Sequence, residues 1–143
     1  NTAREFALAE ILPGVVERDE KKIWPKEIIA KMGDLGFMGM MVSQDWNGSG
    51  LDTISYTIVM EEISRVDASA AVVMSVNNSL VCYLLEKYGS DFLKDKYLKI
   101  MLMLGITSNL DSHLKKVISF ELLEAILTDF FIRFNLASDT SFL

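Results

Sequence analysis

The feature that most limits this chain is a stretch without a single charge, residues 68 to 85. It is apolar apart from Ser69, Ser75, Asn77, Asn78 and Ser79. Eighteen residues is close to the length of a membrane span. Polar groups in the middle of such a segment cost most in lipid, so a buried core helix is expected and no membrane span. A helix that is apolar nearly all round belongs at the centre of a helical bundle.

The rest of the sequence reads as helices around that centre. Phe6, Leu8, Ile11, Leu12, Val15 and Val16 recur near helical spacing, with Pro13 as a kink or a restart. Asp19 to Lys22 reads as a solvated, charged exit. Pro25 follows Trp24 and opens a second helix at its first position, where the missing N–H costs nothing. Its stripe is Ile28, Ile29, Met32 and Leu35, and Gly36 stops it. Asp52 or Thr53 caps a third helix with Tyr56, Val59, Met60, Ile63 and Val66 inward. Asp67-Ala68-Ser69 opens the apolar helix, which ends near Tyr88-Gly89. Ser90 or Asp91 caps a fifth through Phe92, Leu93, Tyr97 and Leu98. A last amphipathic stretch, 110 to 136, carries Leu114, Val117, Ile118, Leu122, Ile126 and Phe130. No strand and no repeat is visible. The expected fold is all-α, a bundle of five to six helices. With 143 residues and half of them hydrophobic, the chain has the material for a packed core.

Chemistry is sparse. A net charge of −6 repels phosphate backbones, so nucleic acid is not an expected partner. Cys82 is the only cysteine and His113 the only histidine. Cys82 sits between Val81 and Tyr83 and reads as an inert core thiol. No catalytic residue, cofactor ligand or metal ligand is assigned. The loop from Gln44 to Asp52 is glycine-rich. It lacks the lysine of G-x-x-x-x-G-K-(S/T) and no strand precedes it, so it reads as a structural loop rather than a phosphate cradle. Glu61 and Glu62 are adjacent, point apart on a helix, and read as surface or salt-bridge groups. The methionines at 38, 40, 41, 60, 74, 101 and 103 read as packing. The N-terminus begins Asn-Thr-Ala-Arg-Glu without a signal-type apolar run, as in a processed chain or a fragment.

One constellation bears on function. Val73, Val76, Asn77 and Leu80 fall at i, i+3, i+4 and i+7, one face of a helix. That face could line a pocket for an acyl chain. The competing reading is that Asn77 and Asn78 bond to neighbouring helices or loops.

The order of elements and many identities resemble the N-terminal α-helical domain of the acyl-CoA dehydrogenases, in the short-chain, butyryl-CoA-like branch. The landmarks are Arg4-Glu5-Phe6-Ala7, Glu10-Ile11 with Pro13, Glu17-Arg18-Asp19, Trp24-Pro25 and Met32-Gly33-Asp34-Leu35-Gly36-Phe37-Met38-Gly39. Gly48, Gly50, Leu51 and Asp52 match the family's glycine loop, and Glu61-Glu62-Ile63-Ser64-Arg65 its EEISR signature. Asn77-Asn78-Ser79-Leu80-Val81, Lys87-Tyr88-Gly89 and Lys96-Tyr97-Leu98 complete the set. Ser43, Trp46 and Asn47 depart from the usual Pro, Tyr and Gly of that loop. The resemblance covers residues 4 to 98. It divides the chain into a family-like domain, 1–99, and a divergent helical tail, 100–143. In that tail the expected F-x-L-(S/T)-E-P-x-x-G-S-D entry to a β-domain is missing, and Ala137-Ser138-Asp139-Thr140 is only a chance echo. A frameshift, a rearrangement or a diverged tail would each explain this.

The resemblance implies a full enzyme that oxidises acyl-CoA thioesters to 2-enoyl-CoA. A glutamate takes the α-proton while the β-hydrogen leaves as hydride to FAD. It implies an electron-transferring flavoprotein as redox partner and a homo-oligomeric full enzyme. The location would be cytoplasmic in a bacterium or the mitochondrial matrix in a eukaryote. The base and most flavin contacts belong to domains absent from these residues. What the resemblance leaves here is one wall of the acyl pocket, Val73, Val76, Asn77 and Leu80, in a chain expected to be inactive alone. The alternative is a non-catalytic helical interaction or oligomerisation module built on the same scaffold.

Overall fold

The computed structural model describes residues 1–104. The expected amphipathic stretch 110–136, with His113 and the Ala137–Thr140 echo, lies outside the described residues. Among those described there are six helices and no strand. Helix α1 runs over residues 2–11, α2 over Val15–Lys21 and α3 over Lys26–Asp34. Helix α4 is Thr53–Ser64, α5 is Ala68–Tyr88 and α6 runs over residues 91–104. The all-α architecture is the one the sequence implies.

The first expected stripe divides at Pro13. Helix α1 closes with a wide turn in which the Leu12 N–H donates to the Ala7 carbonyl at 2.9 Å. Proline cannot continue the ladder, and Gly14 takes a left-handed φ of 76° before α2 starts. Of the stripe, Phe6 and Ile11 are buried, while Leu8, Leu12 and Val16 are exposed. The break rotates α2 off the core, and none of its residues is buried. Pro25 sits one place earlier than expected, as the N-cap of α3 rather than its first residue. Ile29 and Met32 are the buried positions of α3, and Leu35 turns outward where Gly36 ends the helix.

Side-chain caps start the later helices. Asp52 accepts the Ser55 N–H at 2.7 Å, Asp67 the Ala70 N–H at 3.0 Å, and Ser90 the Leu93 N–H at 3.4 Å. Each occupies one of the N–H groups a helix start leaves without a partner. On α4, Ile63 is buried, with Tyr56, Val59 and Met60, and Val66 just beyond the helix, packed on the core as the stripe requires.

Helix α5 is the one helix among the described residues long and apolar enough to cross a membrane by length and composition. It is packed as a core helix. Its first half places Ala70, Ala71 and Met74 against Phe6, Ile11, Ile29, Met32, Met38 and Ile63. Its second half places Val81, Cys82 and Leu85 against Val42 and against Tyr97, Leu98, Met101 and Leu102 of α6. Helix α6 passes residue 99 without interruption, and Met101 and Leu102 beyond it are part of that second cluster.

Candidate functional site

The middle of α5 is where polarity and backbone geometry change together. From Asn77 to Cys82 the helix widens to i→i+5 bonding, and the Tyr83 N–H donates to the Asn78 carbonyl. Such wide turns occur often at functional positions. Two buried amides sit at the start of this turn. The Asn78 carbonyl oxygen Oδ1 accepts the Met40 N–H at 2.8 Å. Its Nδ2 donates to the carbonyls of Phe37 at 2.8 Å and Met74 at 2.9 Å. Asn77 Nδ2 donates to the carbonyls of Met38 at 2.7 Å and Met101 at 3.0 Å. The segment 37–42 has only one helical turn of its own, Phe37–Gly39. The Phe37 and Met38 carbonyls and the Met40 N–H are therefore satisfied by α5, as buried peptide groups must be. The pair binds three separate stretches of chain into one unit.

The four residues of the expected acyl wall are divided by this arrangement. Asn77 is fully buried on the bonded side. Val73 and Val76 are half-buried, and Leu80 is 56% exposed. Val72 and Tyr83 are also exposed on α5, as are Ile54 and Ile58 on α4. Val73 in addition borders a groove of about 560 Å³ between the α2 end and the start of α5, together with Val16, Trp24 and Val66. At the edge of that groove Arg18 joins two corners of the fold. Its guanidinium donates to the carbonyls of Pro13 at 2.8 Å and of Ile11, and lies 3.6 Å from the Asp67 carboxylate. Asp67 in turn caps α5, so Arg18 ties the end of α1 to the start of the helix that carries Val73 and Val76. No spacing rule marks Arg18 for this task; its partners come from two separate turns, residues 11–13 and Asp67.

The remaining candidates are structural. The glycine loop offers no phosphate cradle, because the N–H groups of residues 46 to 51 are all bonded to backbone carbonyls. Those of Ser49, Gly50 and Leu51 go to Gly39, Val42 and Met40 at 3.0, 2.8 and 2.7 Å. The segment 48–51 is thereby laid against 39–42, and a Cβ on Gly48 would meet the Val42 carbonyl oxygen at 2.2 Å. The loop is also held by Glu86 of α5, which accepts the Ser43 N–H at 2.8 Å. Glu62 is gripped by Arg4 through two bonds of 2.7 Å. That pairing lowers the Glu62 pKa below its ordinary value and raises that of Arg4. Glu61 pairs with Arg65 at 2.6 Å. These carboxylates are ion-pair groups, as expected. The Cys82 thiol is fully buried, and burial, with Glu86 adding to it, pushes its pKa up to about 12. An inert core thiol follows. Met38, Met40, Met74 and Met101 are buried packing residues, whereas Met103 is exposed. Among the described residues no group of His, Cys, Asp and Glu is placed to hold a metal ion.

Comparison with known proteins gives a consistent result. The model of the acyl-CoA dehydrogenase N-terminal domain matches residues 1–103. The short-chain specific acyl-CoA dehydrogenase of rat mitochondria is 41% identical over 97 residues, 68% of this chain and 24% of that protein. The short-chain specific acyl-CoA dehydrogenase of Clostridium acetobutylicum is 40% identical over 95 residues, 66% of this chain and 25% of that protein. A solved structure described as an electron transferring flavoprotein of Acidaminococcus fermentans superimposes with a TM-score of 0.67 at 38% identity. It covers 72% of this chain and 27% of that one. The chain thus spans about a quarter of the length of the relatives it matches.

Proposed function

Because this chain belongs to the acyl-CoA dehydrogenase family as its N-terminal domain, we propose that it builds one wall of an acyl pocket. The parent chemistry would be FAD-dependent α,β-dehydrogenation of a short acyl-CoA thioester. The observation that carries this reading is the two-sidedness of α5. Val73, Val76 and Leu80 leave apolar surface uncovered on one side. On the other, Asn77 and Asn78 fix the helix to the segment 37–42. A wall that must present an apolar face to a flexible chain needs a rigid backing, and the amides provide it. Asn77 contributes from behind the wall, through Met38 and Met101.

The described residues do not fit the flavin itself. The N–H groups of the glycine loop are spent on backbone carbonyls, and Glu62 and Glu86 are committed to Arg4 and to the Ser43 N–H. The base, most flavin contacts, the docking of the electron-transferring flavoprotein and subunit assembly would belong to the parts of the relatives that this chain does not span. The family-like unit is taken to continue through α6, with the tail after it as a separate addition. Relatives from rat mitochondria and from a bacterium support either of the two expected locations.

The purified chain is expected to show no acyl-CoA oxidation with an artificial electron acceptor and no flavin absorbance after incubation with FAD. Turnover above background would overturn the scaffold reading. A chimera tests the wall directly. With residues 1–104 replacing the matching segment of the Clostridium acetobutylicum relative, Val76→Trp should cut activity on the longest accepted acyl chain by more than on butyryl-CoA. An equal effect on all chain lengths would place the acyl chain elsewhere.

A second reading, an interaction or oligomerisation module, is favoured by the exposed Ile54, Ile58, Val72, Leu80 and Phe92. Exposed apolar groups can be covered by a partner or a second copy. Light scattering after size exclusion tests the oligomerisation form of this reading, which requires a dimer or larger species at micromolar concentration.

A further inference from the structure

We draw no further inference here: the strongest candidate, the groove of about 560 Å³ between the end of α2 and the start of α5, bordered by Val16, Trp24, Val66 and Val73, carries nothing because nothing in the structure shows what covers it.

Discussion

The two halves of α5 are held in different ways. The first half packs Ala70, Ala71 and Met74 into a cluster made almost wholly of hydrocarbon and thioether groups. The hydrophobic effect there is non-directional, so shape and volume set the stability. Past the wide turn the helix packs on α6 and Val42, and the junction is specified by hydrogen bonds from Asn77 and Asn78. Those bonds have direction and fixed partners. The net gain from each is modest, but leaving either side unpaired in the core is expensive. The first half should therefore tolerate reshaping that conserves volume, and the junction should not tolerate loss of its amides at any volume.

The largest expected effect concerns the thiol of the second half. With the Cys82 pKa at about 12 rather than the ordinary 9.0, almost no thiolate forms at pH 9. At neutral pH, alkylation of the folded chain by iodoacetamide should be about a thousandfold slower than in urea, from the thiolate fraction alone. The same shift makes stability fall with alkaline pH. Between pH 9 and about 12 the unfolded chain releases the thiol proton while the folded chain keeps it, so unfolding gains with each step in pH. Below that window both states hold the proton and Cys82 contributes no pH dependence. Rapid labelling of the native chain at neutral pH would show that the second half opens far more readily than its packing implies.

The next test sets the two halves against each other with one replacement side chain. Asn78→Leu leaves the Met40 N–H and the Phe37 carbonyl without their partners and should cost about 3 kcal/mol in urea unfolding. Met74→Leu, one turn earlier in the apolar cluster, conserves volume and should cost less than about 1.5 kcal/mol. Equal losses would erase the distinction between the halves.

The same distinction explains what can be read from the residues alone. The stripe Tyr56, Val59, Met60, Ile63 and Val66 and the caps at Asp52, Asp67 and Ser90 depend on neighbours three or four places away, so local spacing reveals them. The direction of Asn77 is another matter. Spacing puts Val73, Val76, Asn77 and Leu80 on one face, yet Asn77 is buried and Leu80 is 56% exposed. The widening at residues 77–82 changes the angle between successive side chains. It is stabilised by carbonyls about 39 residues away in sequence, which no local pattern announces. Both amides bond to loop and helix instead. Val16 is exposed for a related reason: the break at Pro13 and Gly14 removes the continuous helix that its shared stripe assumes.

The smallest expected effect sharpens the comparison from inside the second half. Tyr97 is almost fully buried in the α6 cluster, and its hydroxyl has no hydrogen-bond partner among the described residues. Among the described residues Asn77 Oδ1 is likewise unpartnered, but the Asn77 Nδ2 makes two backbone bonds, whereas the Tyr97 hydroxyl makes none. A buried hydroxyl without a partner carries a desolvation cost and returns nothing, while the ring supplies the packing. Tyr97→Phe keeps the ring and removes the cost, so the midpoint of thermal unfolding should stay level or rise, by no more than about 1 kcal/mol in stability terms. A loss larger than that would mean the hydroxyl is bonded in solution. The junction between α5 and α6 would then rest on a wider polar network than the two asparagines.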